Sequence, residues 1–271
     1  MSNFFPKIKH YLAKIKENIW PGRFDGWIRI YPTLQCNLDC AYCIHSHNLA
    51  DSKADEFQVV PWQRWAEFIN QSGKNVIFTG GEPFLYPDFV KLLNAISADI
   101  KVKIYSNLSA DMQDYIKNCR RPVIFFGTYH PAGGPVEKFI DTINALRAAG
   151  KFKGSIHMIG WTNQLEYITK AKEKFAQQRW YVYIDKDQYL QDDSSSMKFK
   201  KKARCTRRIY LLAPDGRRYL CISKMLRQKD ALGNVLETGL GTEQVTMECQ
   251  EYGYCNPCDR LGSTRIKPVK E

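Results

Sequence analysis

The sequence contains no apolar run of bilayer-spanning length, so no transmembrane helix and no membrane contact are expected from it. A secretory signal is missing as well. Residues 1–20, MSNFFPKIKHYLAKIKENIW, are basic and amphipathic but have neither a continuous apolar core nor a small-residue cleavage site. A cytoplasmic location is the expectation that follows. Acidic residues are outnumbered, 28 against 40 Lys and Arg, for a net charge of +12. That balance favours anionic partners such as nucleic acid, charged cofactors or acidic peptides, although no nucleic-acid recognition fold is legible. An even cysteine count is also absent. Nine clustered cysteines do not read as a secreted disulfide framework, which would leave none unpaired, and point instead to metal ligation. With 44% apolar and 13% aromatic residues in 271, the chain can bury a sizeable core, so disorder is excluded.

A short helix is expected over residues 1–25, with Ile8, Leu12, Ile15 and Ile19 on one side, ending at Pro21-Gly22. From Gly26 the pattern changes to β-rich runs alternating with helical ones. WIRIYPTL, NVIFTG, KVKIYSNL, VIFFGTYH, GSIHMIG and YVYIDKDQ read as strands, and the stretches between them as amphipathic helices. About six strand–helix units call for a parallel sheet with right-handed crossovers. A doubly wound sheet and an open partial barrel both satisfy this pattern, and in both the chemistry sits at the C-terminal strand ends. Residues 191–204, QDDSSSMKFKKKAR, are polar and basic and read as a linker. Beyond them, RIYLLAPDGRRYLCIS places Pro214-Asp215-Gly216 between two apolar runs, a hairpin signal.

Cys36, Cys40 and Cys43 supply three thiolates within eight residues, on a loop directly after the first strand. Three ligands leave one iron of a cubane open, which separates a catalytic cluster from a four-cysteine electron carrier. Zinc is the competing reading, although zinc motifs usually pair Cys-x2-Cys units to complete four ligands. Gly80-Gly81-Glu82-Pro83 follows the second strand and falls on the same rim of the sheet. Glycines there let backbone approach a ligand, and Glu82 can accept a hydrogen bond from an α-ammonium group.

Cys-x3-Cys-x2-Cys with an aromatic before its last cysteine, followed by GGEP, resembles the radical S-adenosylmethionine (SAM) superfamily over residues 26–190. The resemblance implies an α/β fold, a partial (β/α)6 barrel, with Cys36, Cys40 and Cys43 holding a [4Fe–4S] cluster whose unique iron is chelated by SAM. It also implies that Tyr42 lies beside adenine and that Gly80, Gly81 and Glu82 contact the SAM amino group. Ser106-Asn107 ends the third strand where many relatives carry Thr-Asn-Gly, with Leu108 in place of the glycine. Met158-Ile159-Gly160 is similar to a family adenine-binding segment. The implied chemistry is reduction by a flavodoxin- or ferredoxin-like donor, cleavage of SAM to a 5′-deoxyadenosyl radical, and abstraction of a substrate hydrogen.

Cys205, Cys221, Cys249, Cys255 and Cys258 crowd the last quarter. The hairpin would bring Cys205 and Cys221 together, and Cys255-x2-Cys258 is a compact chelate. The spacing resembles the Twitch or SPASM extensions of radical SAM enzymes. It implies a small C-terminal iron–sulfur extension over 205–271, with one auxiliary [4Fe–4S] cluster on Cys205, Cys221, Cys255 and Cys258. Cys249 either replaces one of the four or stays a nearby thiol, and a zinc ribbon is the alternative. Cys119, alone at a helix end, is expected to pack as a small hydrophobe.

Tyr105, Tyr129, His130, His157, Tyr183 and Asp185 fall near strand ends and are candidates to line a substrate pocket. His45 and His47 follow the cluster loop and could tune it through hydrogen bonds. The run from Lys198 through Lys202, Arg204, Arg207 and Arg208 is a solvated face or a phosphate-contacting strip. The expected substrate is a peptide or small molecule, the chain being too short for a peptide-recognition domain before residue 26. The alternative is a nucleic-acid base or a base-linked amino-acid adduct, and a non-enzymatic, metal-bearing nucleic-acid binder is more remote.

Overall fold

The computed structural model describes residues 26–43, 52–160, 164–186, 201–207, 209–241, 244–252 and 264–269. The expected N-terminal helix, His45, His47, most of the 191–204 linker, Arg208, Cys255 and Cys258 lie outside them. Strands β1 (Trp27–Ile30), β2 (Asn75–Phe78), β3 (Val102–Ser106), β4 (Ile124–Tyr129), β5 (Gly154–Gly160) and β6 (Val182–Lys186) alternate with five helices. These are α1 (Trp62–Ser72), α2 (Phe89–Ala95), α3 (Gln113–Asn118), α4 (Val136–Ala148) and α5 (Leu165–Gln177). All six strands pair in parallel and in chain order, the arrangement of a partial barrel.

Period-two and period-3.6 patterns meet in one apolar layer. Ile28, Ile30, Val76, Phe78, Ile104, Phe125, Ile156 and Met158 from the strands pack against Trp65, Ile69, Leu92, Ile143, Leu146 and Phe175 from the helices. Each such side chain contributes about 1.5–3 kcal/mol on full burial. Helix α1 buries Trp65, Ala66, Phe68 and Ile69, then stops where Gly73 takes the left-handed conformation at φ 60°. The opposite face of the sheet carries the alternate residues of each strand and is free of these helices. No described helix is long and apolar enough to cross a membrane.

The C-terminal quarter divides between two sheets. Strands β7 (Lys201–Arg207), β10 (Val245–Tyr252) and β11 (Thr264–Pro268) form an antiparallel sheet in the order β10–β7–β11, so Lys201–Arg204, expected as linker, are strand. The expected hairpin forms as β8 (Tyr210–Leu212) and β9 (Arg218–Tyr219), turning through Gly216 at φ 84°. It does not stand apart: β8 pairs in parallel with β1 and extends the barrel sheet to eight strands. Leu211, Ala213, Tyr219, Met225 and Leu226, the last two on α6 (Ile222–Leu226), join Tyr31 in a second apolar cluster. This cluster packs beside β8 and the end of β1 and leaves β3–β6 outside it.

Candidate functional site

The loop after β1 is fixed by backbone contacts before any side chain is considered. Thr79 N–H donates to Ile30 O at 3.1 Å, Gly81 N–H to Thr33 O at 3.3 Å and Glu82 N–H to Gln35 O at 2.8 Å. The two loops run so close that a Cβ on Gly80 would stand 2.3 Å from Thr33 O, and one on Gly81 2.0 Å from Gln35 O. Only glycine fits this approach. The GGEP segment therefore sets where the chain enters the cysteine loop. Phe84, next to Pro83, anchors the segment in the core against Phe89, Tyr115 and Phe125.

Cys36 is exposed, Cys40 buried and Cys43 half-buried, and Cys43 N–H closes a turn on Cys40 O at 2.8 Å. Burial pushes the Cys40 thiol up to about 11, reinforced by Cys43 and Cys36, while a hydrogen bond with Tyr42 opposes it. Although Cys36 is exposed as a residue, partial desolvation of its sulfur raises its thiol, with Glu82 and Cys43 adding to it against a backbone hydrogen bond from Leu38. The three sulfurs thus share one neighbourhood. Among the described residues, however, no three His, Cys, Asp or Glu side chains converge as ligands of a single ion.

Glu82 is fully buried. Its Oε1 accepts from Phe84 N–H at 3.1 Å and Ser106 O–H at 2.9 Å, and its Oε2 from Asn107 N–H at 2.8 Å. Burial lifts its carboxyl to about 7, against the pull of those three donors. Asn107 carries the connection onward, its Nδ2 donating to Cys36 Sγ at 3.6 Å and to Asn37 Oδ1 at 3.1 Å. Ser109 completes the chain, donating to Asn107 Oδ1 at 2.7 Å and accepting from Asn37 Nδ2 at 2.9 Å. Glu82, Ser106, Asn107 and Cys36 are thereby joined in one network. Sequence reasoning missed Asn37 and Ser109, for which no local motif gave a signal.

Leu108 sits at φ 54°, in the left-handed region that favours glycine. It is buried, and its Cδ1 lies 2.8 Å from where a Cβ on Gly127 would be, so the β4 glycine makes room for it. Leu108→Gly relieves about 1–2 kcal/mol of backbone strain but forfeits a buried side chain worth roughly 2–5 kcal/mol. A net destabilisation of about 1–3 kcal/mol is expected, read as a lowered urea midpoint; an unchanged or raised midpoint would contradict it.

Tyr42 bonds through its hydroxyl to His130 Nδ1 at 2.7 Å and stacks on that ring at 5.8 Å. Burial depresses His130 to about 4. Tyr129 lines a small cavity with Leu38, Asn107, Ser109 and His130. It faces the helices, packed on Phe139 and Phe175, with its hydroxyl donating to Gly134 O at 3.0 Å. Its position in β4, one residue from Thr128, sets that face. Met158 likewise points into the core, whereas Ile159 and Gly160 are half-buried at the end of β5. Cys119 is buried among apolar neighbours, as its isolation suggested. His157, Tyr183 and Asp185 do come together on the helix-free face, with Tyr105 nearby through Phe126.

In the second cysteine group, Cys205 on β7 shares an apolar cluster with Ala203 and Leu220, against which Met247 and Cys249 pack. Cys249 stands opposite Ala203 and Met247 opposite Cys205, so Cys249 lies on the same face as Cys205. Cys221 caps α6, and Lys224 within that helix is buried and ion-paired with Asp230. Burial pulls the Lys224 ammonium down, yet Asp230, Cys249 and Cys221 together outweigh it and leave it raised.

Residues 30–166 match the family model of the Radical SAM superfamily. Over 140 residues, 51% of its length, the chain is 32% identical to the 7-carboxy-7-deazaguanine synthase of Clostridium acetobutylicum, covering 61% of that protein. Over 187 residues, 60% of its length, it is 27% identical to the GTP 3′,8-cyclase of Listeria welshimeri, covering 55% of that protein. The chain thus spans about three fifths of the length of these relatives. The solved structure of anSMEcpe with bound AdoMet is similar in fold, with a TM-score of 0.55 and 14% identity over 78% of each chain.

Proposed function

The chain belongs to the radical SAM superfamily, and from that premise we propose that Cys36, Cys40 and Cys43 hold a [4Fe–4S] cluster at which SAM is reductively cleaved. When bound, the cluster and SAM supply a 5′-deoxyadenosyl radical able to abstract a substrate hydrogen. The residues of this chain set the position of those groups and of the substrate. Gly80 and Gly81 bring backbone against the cysteine loop, Asn107 steadies Cys36 through its sulfur, and Tyr42, held by His130, offers a ring face for adenine. Glu82, Ser106 and Asn107 form the wall toward the SAM amino group. The observation that carries this reading is the continuous hydrogen-bonded path from Glu82 through Asn107 to Cys36.

We further propose residues 26–190 as the catalytic unit and Cys205, Cys221, Cys255 and Cys258 as ligands of an auxiliary [4Fe–4S] cluster in a 205–271 extension. Cys205 packs with Leu220, the residue before Cys221, which supports these two cysteines as ligands of one group. The electron donor is of the flavodoxin or ferredoxin kind. The substrate is a small molecule or a peptide, with a nucleic-acid-linked group as the second reading, favoured only by the +12 charge.

Protein reconstituted without oxygen is expected to contain about eight irons and eight sulfides per chain, four of each per cubane, and to release 5′-deoxyadenosine from SAM under dithionite. About four irons with zinc would remove the auxiliary cluster. Absence of 5′-deoxyadenosine from iron-loaded protein would sink the catalytic reading.

A further inference from the structure

Among the described residues, the face of β3–β6 turned away from helices α1–α5 carries a set of side chains outside the network that joins Glu82, Asn107 and Cys36. Lys103 Nζ stands 4.1 Å from the Trp27 ring centroid and 5.9 Å from that of Phe126. Phe126 stacks on Tyr105 at 4.5 Å and 10°, and Tyr105 is 36% exposed although large and aromatic. Phe126 also meets His157 at 5.6 Å, and His157 stacks on Tyr183 at 5.2 Å. Contacts thus run unbroken from the cation at one end to a histidine at the other.

His157 is held at both nitrogens. Nδ1 lies 2.8 Å from Asp185 Oδ2, and Nε2 lies 2.7 Å from Ser155 Oγ. A carboxylate only accepts, so Nδ1 carries a proton, and in the neutral ring Nε2 accepts the Ser155 hydroxyl proton. The lone pairs of Ser155 Oγ and the second oxygen of Asp185 then present acceptors along this edge. Such an edge recognises N–H or O–H donors. On the rung of Lys103, two strands away, stands Arg29. Its Nε is buried with no hydrogen-bond partner among the described residues, a second cationic group on the face. The cluster around Tyr31 and Met225 packs on β8 and the residue after β1 and contains no residue of β3–β6.

Resting on the radical SAM reading above, we propose that this face binds the substrate and that the substrate is a ring-bearing organic anion. Its ring lies against Tyr105 and Phe126, its anionic group is drawn to Lys103 and Arg29, and donor groups on its edge meet Ser155, His157 and Asp185. Aromatic stacking and one charge-assisted contact each discriminate such a ligand from a bare anion or a bare ring.

Calorimetric titration of the reconstituted, SAM-loaded protein with GTP, guanosine and inorganic triphosphate tests this. GTP is expected to bind more tightly than either fragment. Lys103→Met, Phe126→Ala and Ser155→Ala are each expected to weaken GTP roughly tenfold, the loss of about one such contact. Lys103→Arg should recover most of the loss, and Lys91→Met, on exposed α2, should change nothing. Matching circular dichroism and melting temperatures identify variants that fold. Triphosphate binding as tightly as GTP, GTP binding indifferent to the three substitutions, or no binding at all would overturn the inference. Release of 5′-deoxyadenosine is assayed on the same wild-type preparation. Protein that cleaves SAM yet binds no probe fails this inference alone, whereas protein that cleaves no SAM fails the proposed function.

Discussion

Gly81→Ala is expected to reduce to background the iron that Cys36, Cys40 and Cys43 are proposed to hold, and to abolish 5′-deoxyadenosine release. The added methyl would lie 2.0 Å from Gln35 O, 2.4 Å from Gln35 C and 2.5 Å from Leu34 O. All three are backbone atoms, so no side-chain rotation relieves the overlap. The chain must separate the two loops, which breaks Glu82 N–H to Gln35 O and displaces the residue immediately before Cys36. Overpacking of this kind costs roughly 1–3 kcal/mol when neighbours can shift, and here the shift falls on the cysteine loop itself. Gly133→Ala is the matched control: its methyl would meet only Leu38 side-chain carbons at 3.6 Å and a Ser109 carbon at 3.9 Å. Iron analysis and melting temperature read both variants. Retention of wild-type iron by Gly81→Ala would show that the register between the two loops does not position the cysteines.

Glu82 gives the second large effect. Glu82→Ala leaves the buried N–H groups of Phe84 and Asn107 without their acceptor, at about 1–3 kcal/mol each, and frees Asn107 from the wall that aims it at Cys36. A loss of roughly 2–6 kcal/mol in unfolding free energy is expected, together with weaker SAM binding. The carboxyl also predicts a pH dependence. Its folded value is raised to about 7, above the unfolded value near 4.3. The native state therefore holds more protons than the unfolded chain between those limits. Its contribution to stability is full below the unfolded value and is lost as pH rises through 7, by about 4 kcal/mol in all. Urea unfolding of the metal-free protein between pH 5 and 8 should show this decline, and Glu82→Gln should remove it. Equal slopes in both proteins would mean that the buried carboxyl is not the titrating group.

Much of this was written locally. The six strands and five helices were legible because their apolar periods are properties of neighbouring residues, and each expected unit is present. The cysteine triad and GGEP were legible for the same reason, being short segments with fixed spacing. Tyr129 lies apart from His157, Tyr183 and Asp185 because a one-residue difference in strand position reverses the face on which a side chain lies. The same rule held a signal that was passed over: Ser155 and His157, two apart in one strand, share a face.

By itself, then, the sequence determined the parallel strand–helix succession, the cysteine-bearing loop after β1 and the glycines at the end of β2, all through periodicity and spacing within a few residues. Only the tertiary structure decided that the C-terminal hairpin pairs with β1 and that Asn107 reaches Cys36. The same holds for Cys249 sharing a face with Cys205, and for Asp185 closing on His157 from another strand. Each of these joins residues distant in the chain, and which strands pair and which faces meet is settled by burial of the whole apolar layer, not by any segment alone.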